Sequence, residues 1–141
     1  MMKKIIYLLS IVIIGCGDGF THKERLISNY YLTALELNED MSLSYSVSKE
    51  NDAFVGVVNP TVFAIGHNEE FIIVKQHPEK SPYQPDKSIT NYFIIPLKDK
   101  IAESEEKNVI GPMTKEEFEK KREELGVPKS LTFTKVFEEL E

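Results

Sequence analysis

Cysteine is almost missing from this chain: its 141 residues hold one, Cys16. No intrachain disulfide is available, so the fold must rest on buried apolar surface, and no zinc site of paired thiolates can form. Basic residues are the minority, 17 against 23 acidic ones, for a formal charge of −6. An acidic chain without a basic stripe argues against nucleic acid, and no nucleic-acid partner is expected. It also gives anionic lipid headgroups little to hold by charge. Histidine is scarce too, with only His22, His67 and His77. If the run after His67 is a strand, His67 and His77 lie roughly 20 Å apart at about 3.3 Å per residue, too far to share a metal. There is no GxSxG, no HExxH, no paired-cysteine motif and no EF-hand loop. Gly15, Gly17 and Gly19 do not join a strand to a helix, so they make no phosphate loop. No catalytic, cofactor-binding or metal residues are expected, and no cofactor.

Long apolar runs are also lacking, with one exception at the start. Ile5-Ile6-Tyr7-Leu8-Leu9-Ser10-Ile11-Val12-Ile13-Ile14 follows Lys3 and Lys4. It falls short of the about 20 apolar residues that a spanning helix needs. A basic start, an apolar run and then a small residue have the order of a cleavable export signal. Ile13-Ile14-Gly15-Cys16 resembles the lipobox of bacterial lipoproteins. That resemblance implies a diacylglyceryl group on the Cys16 sulfur and cleavage between Gly15 and Cys16. The residue types suit the chemistry: a thiolate is a good nucleophile, and a small residue before the cut fits a narrow protease site. An ordinary secretory signal with a chance cysteine, or a buried N-terminal strand, is the plainer alternative. Two or more acyl chains, at about 0.8 kcal/mol per buried CH₂, hold a protein durably at a bilayer where one does not.

Three segments are therefore expected. Residues 1–15 are a lipoprotein signal peptide, 16–28 the lipidated Cys16 and its tether, and 29–141 a single globular domain. The domain is expected to be α+β: one antiparallel, curled sheet of about six strands, a surface helix over 114–125 and a short C-terminal helix.

Tyr30–Leu35 has strand composition. Ser42-Leu43-Ser44-Tyr45-Ser46-Val47-Ser48 alternates cleanly, which places Leu43, Tyr45 and Val47 inward and the four serines toward water. Phe54–Val58 is a strand ended by Asn59-Pro60. Thr61–Ile65 and Phe71–Gln76 read as the arms of a hairpin around Gly66–Glu70. Both arms are apolar on both faces, so this hairpin should be central and covered on each side. Glu79–Ser88, with Pro82, Tyr83 and Pro85, reads as a long mobile or functional loop. Asn91–Leu97 is a further strand, with Pro96 at its end or on an edge. Lys98–Asn108 is open between loop and helix.

Thr114 and Glu117 make a capping box, Met113 and Phe118 sit at the staple positions, and Gly126 with Pro128 ends the helix. Glu116 with Lys120, and Glu117 with Lys121, are spaced for surface pairs. The interleaved lysines make its carboxylates a solvated face rather than a hydrolytic pair. Phe133, Val136, Phe137 and Leu140 have helical spacing.

The block Ile65–Pro78, together with Thr90–Pro96 and Ile110–Phe118, resembles a family of small bacterial lipoproteins of unknown function. The resemblance implies no site beyond the lipidated Cys16. The reading is thus a membrane-anchored lipoprotein of the cell envelope, periplasmic or surface-exposed, held by lipid through acylated Cys16. Its domain acts as a non-enzymatic module, binding an envelope protein or glycan through a sheet edge or the proline-rich loop. The alternative is a small envelope hydrolase whose residues assemble from distant strands. That would require a deep pocket in which a histidine or carboxylate meets a nucleophile.

Overall fold

A computed structural model describes residues 19–48, 50, 53–97 and 108–141. The signal segment, Cys16, and all but the last residue of Lys98–Asn108 lie outside the described residues.

Two sheets form, with a small ribbon beside them, rather than one curled sheet. The first sheet runs in chain order through β1 (His22–Ile27), β2 (Tyr30–Ala34), β3 (Ser42–Ser48) and β4 (Ala53–Val58), all antiparallel. The second contains β5 (Val62–His67), β6 (Phe71–Gln76), β9 (Asn91–Pro96), β10 (Ile110–Met113) and β11 (Lys135–Val136). Its order is β10-β9-β6-β5-β11. The ribbon pairs β7 (Glu79–Ser81) with β8 (Gln84–Pro85), inside the segment read as a loop.

The division into two sheets follows from the faces. The strands of the first sheet have one apolar face, carrying Tyr30, Leu32, Leu43 and Val58, and a face of that kind needs a covering layer. The chain supplies it by crossing over at Asn59-Pro60. There the Thr61 hydroxyl donates to the Glu39 carbonyl (2.5 Å), and the Val62 amide donates to the Met41 carbonyl (2.8 Å).

The central hairpin is as expected. In β6, Ile72 and Val74 pack toward the first sheet, while Phe71 and Ile73 pack the other way. In β9, Phe93 and Ile95 share the first core, and Tyr92 and Ile94 the second. Two-sided burial explains why these strands read as unbroken apolar runs.

The helix α1 (Lys115–Leu125) covers the outer face of the second sheet. The Glu117 amide donates to Thr114 Oγ1 (3.2 Å), and the Thr114 amide donates to Glu117 Oε2 (2.8 Å), a closed capping box. Gly126 ends the helix in the left-handed region, φ 71°. Phe118 is its buried residue, with its ring 4.9 Å from that of Tyr92. Glu117 is thus occupied by the cap, and Lys121 pairs instead with Glu124 (2.8 Å).

Two further expectations are corrected. The sheet starts at His22, inside the stretch read as tether, because β1 is an edge strand and tolerates the charged run Lys23-Glu24-Arg25, with Lys23 and Arg25 facing out. The C-terminal helix does not form. Leu131, Phe133 and Lys135 turn inward while Thr132, Thr134 and Val136 face out, a period of two. The free edge of β5 then takes this segment as β11. It can do so because β5 carries Gly66, where a Cβ would collide with the Thr132 carbonyl. Phe137 and Leu140 are fixed in a final turn.

Candidate functional site

The two long sides of the sandwich differ. On one side the C-terminal segment seals the gap. Lys135 Nζ donates to the Glu24 carboxylate, the His22 and Phe137 rings meet edge to face at 5.6 Å, and the Phe137 amide donates to the Phe63 carbonyl (2.8 Å). On the other side β4 and β10 are the outer strands, and among the described residues no strand pairs with either outer edge.

A cleft of about 690 Å³ opens there, with Val57, Val58 and Pro60 on one wall and Val109 and Pro112 on the other. Its inner end is polar. Gln76 Nε2 donates to the carbonyls of Asn59 (3.0 Å) and Pro60 (3.1 Å), and its Oε1 accepts from Asn91 Nδ2 (3.1 Å). These bonds tie the crossover to β6 and β9, so Gln76 is scaffold. The rim carries carboxylates from separate parts of the chain: Glu39, Asp40 and Glu79. Asp40 accepts the amides of Glu36 (3.2 Å) and Leu37 (3.1 Å), which fixes the turn before β3. Among the described residues no lysine, arginine or histidine lines this cleft, so the charged side chains of that lining are all acidic.

A second cavity of about 500 Å³ lies on the outer face of the first sheet and shares Asp40, Pro60 and Tyr83 with the first. Its floor is the serine row, which was expected to be wet. Ser44 is instead only 4% exposed, and its hydroxyl lies 2.8 Å from that of Thr33, with Ser42 joining the pair. Phe20 and Phe54 stand beside this floor, edge to face at 5.5 Å. Val47, expected to point inward, is 58% exposed, because a bulge between Ser46 and Ser48 makes it the extra residue of β3.

Tyr83 stands between the two cavities at the tip of the β7–β8 ribbon. It is 61% exposed and has a positive φ of 62°, uncommon for a side chain of its size. Its amide donates to Glu79 Oε1 (3.3 Å), and Ser81 Oγ donates to Gln84 Oε1 (2.9 Å). The sequence singled out Tyr83 and the proline-rich segment. It did not connect them with Glu39, Asp40 and Thr33, because nothing local in the chain brings those residues together.

The histidines stay apart. His67 ends β5, whereas His77 follows β6 at the opposite end of the hairpin. His77 is buried against Phe63, ring centroids 4.1 Å apart, and its Nδ1 proton goes to the Ile89 carbonyl (2.7 Å). His22 Nε2 lies 3.2 Å from Glu24 Oε2. Its pKa is lowered, first by partial burial and then by the Lys135 charge. Tyr92 is shifted upward, first by burial and then by Glu119. Asp86 is held low by the Ser88 hydroxyl and amide. The hydrogen bonds of His22 and His77 described here therefore go to a carboxylate and a carbonyl, not to a serine or threonine hydroxyl. Cys16 lies outside the described residues.

Two antiparallel sheets with a helix on the second define a layered α+β domain, closed along one side and cleft along the other. The chain belongs to the family described as "Protein of unknown function (DUF3997)", which matches residues 27–137. No curated protein matches it, and no solved structure does.

Proposed function

We propose that this chain is a lipid-anchored lipoprotein of the bacterial cell envelope whose domain binds another envelope component through the open side of its sandwich. The carrying observation is the convergence there of a strand edge that no described strand pairs with, two adjoining cavities and the exposed Tyr83. A few polar groups set around apolar walls is the usual make-up of a binding site. The anchor rests on Lys3 and Lys4, the apolar run Ile5–Ile14, and Gly15-Cys16. No helix of the described residues is long and apolar enough to cross a membrane; on this reading the acylated Cys16 carries the attachment.

Fractionation of cells carrying Cys16→Ser tests the anchor. We expect the chain to leave the membrane fraction and to lose its acyl mass; a processed, membrane-bound variant overturns this part. Binding is tested by incubating the purified full chain with solubilised envelope proteins and with cell-wall glycan fragments. Retention of one or the other is expected, and retention of neither overturns the reading.

A further inference from the structure

We propose that the open side receives an extended polypeptide segment, which pairs with β4 as a new outer strand and carries basic residues into the carboxylate-lined cleft. This rests on the reading of the domain as a binding module and names its partner class. The argument begins with the strand edges. Exposed edges invite pairing, and native sheets blunt them with charge, proline, bulges or shortness. Among the described residues, three of the four edges of the two larger sheets are blunted by charge, proline or shortness. β1 carries His22, Lys23, Glu24 and Arg25 and touches the C-terminal segment. β10 has Pro112 and an irregular register, and β11 is two residues long.

The fourth edge, β4, is Ala53-Phe54-Val55-Gly56-Val57-Val58; it has a bulge at Val57, but Ala53–Gly56 carries no charge, proline or bulged residue of its own. Val55 is partly exposed, and the space where a Cβ of Gly56 would stand is open for 4 Å. An incoming backbone therefore meets no side chain at Gly56.

The surroundings select among extended chains. A strand added to β4 places alternate side chains on opposite faces. One set meets the apolar walls of the cleft, Val57 and Val109, and the other passes Phe54. Where β4 ends, the chain reaches Glu39, Asp40 and Glu79, with no basic residue in the lining among the described residues. A peptide with lysine or arginine at that end is complementary in charge, and an acidic one is repelled. Antiparallel pairing, the commoner arrangement, puts that basic end at the N-terminal part of the bound segment. Backbone pairing would supply affinity, and the alternate side chains would supply selectivity.

The probe is a short synthetic peptide, two lysines followed by alternating valine and threonine. It is added to the full chain in a nonionic detergent while amide hydrogen exchange is followed. We expect exchange to slow at Ala53–Val58 and to stay unchanged at His22–Ile27. A matching peptide led by two glutamates should bind at least tenfold more weakly at low salt. Glu39→Gln combined with Glu79→Gln should remove that preference; Asp40 is left intact because it holds a turn. Val55→Lys should abolish binding by charging the edge, and the wild-type exchange pattern stands as a measurement independent of that variant. Equal binding of both peptides, slowing at another edge, or protection of β4 that appears without peptide and grows with protein concentration would each overturn the proposal. Binding of cell-wall glycan fragments but not of the peptide overturns it while leaving the binding-module reading in place.

Discussion

Lys135 on the last strand holds the carboxylate of Glu24 on the first, so the two ends of the described chain close one side of the sandwich. Both side chains are partly exposed. An exposed ion pair contributes about 0.2–1 kcal/mol and weakens with salt. Lys135→Met should therefore lower stability by no more than about 1 kcal/mol, with a smaller effect at high salt. Urea denaturation at low and high ionic strength, with Glu24→Gln completing the double-mutant cycle, measures this.

His22, beside the same pair, gives stability a pH dependence of definite sign. Its folded pKa lies below the ordinary value of 6.5 because of partial burial and Lys135. The folded state then holds fewer protons than the unfolded one in the window just below that value, so stability rises with pH there. Its contribution is intact above pH 6.5 and declines as pH falls toward the lowered folded pKa. We expect His22→Gln to flatten the denaturation midpoint between about pH 7.5 and about pH 5, the range in which an unperturbed histidine titrates. An unchanged slope in the variant would show that other groups carry it.

Gly66 lets the C-terminal segment lie on β5. A Cβ there would press on the Thr132 carbonyl, which is backbone and cannot swing aside. We expect Gly66→Ala to cost at least the about 1–3 kcal/mol typical of an overpacked site. Faster amide exchange across Lys135–Val136 should accompany the loss. A variant as stable as the parent would mean that the segment does not cross there.

The sequence shows α1 plainly because its signals are local. Thr114, Glu117, Phe118 and Gly126 all lie within the helix or beside it. Thr114→Ala should cost about 1 kcal/mol, as cap removals do. Phe118→Ala should cost about 3–5 kcal/mol, as large core truncations do. The Phe118 ring also lies 5.9 Å from that of Phe133, so its loss should loosen the C-terminal segment too. Thermal melts and exchange on both variants test the ranking.

The β5–β6 hairpin is as easy to read, since apolar residues on both faces mean cover on both faces. The segment after Leu131 is not. Its residues fit a period of two through Leu131, Phe133 and Lys135, and a helical period through Phe133, Val136, Phe137 and Leu140. A distant strand edge decided between them. β1 escaped notice because charges that suit an edge strand also suit a tether. The serine row misled for a related reason: alternation separates the faces of a strand but does not show that Phe20 and Phe54 stand beside the outer one. Within the site, Tyr83 could be read from the chain, but Glu39, Asp40 and Glu79 meet only after the crossover at Asn59-Pro60.

The most direct test of the open side as the working face uses engineered thiols, since Cys16 is the sole native cysteine. Val55 on β4 and Val136 on the sealed side are almost equally exposed, 38% and 42%. Val55→Cys and Val136→Cys, each in the full chain and in its own cell, would be treated with a short thiol-directed photocrosslinker. We expect a discrete adduct at position 55 and none at position 136. Adducts of equal yield at both, or none at either, would contradict the assignment of the open side.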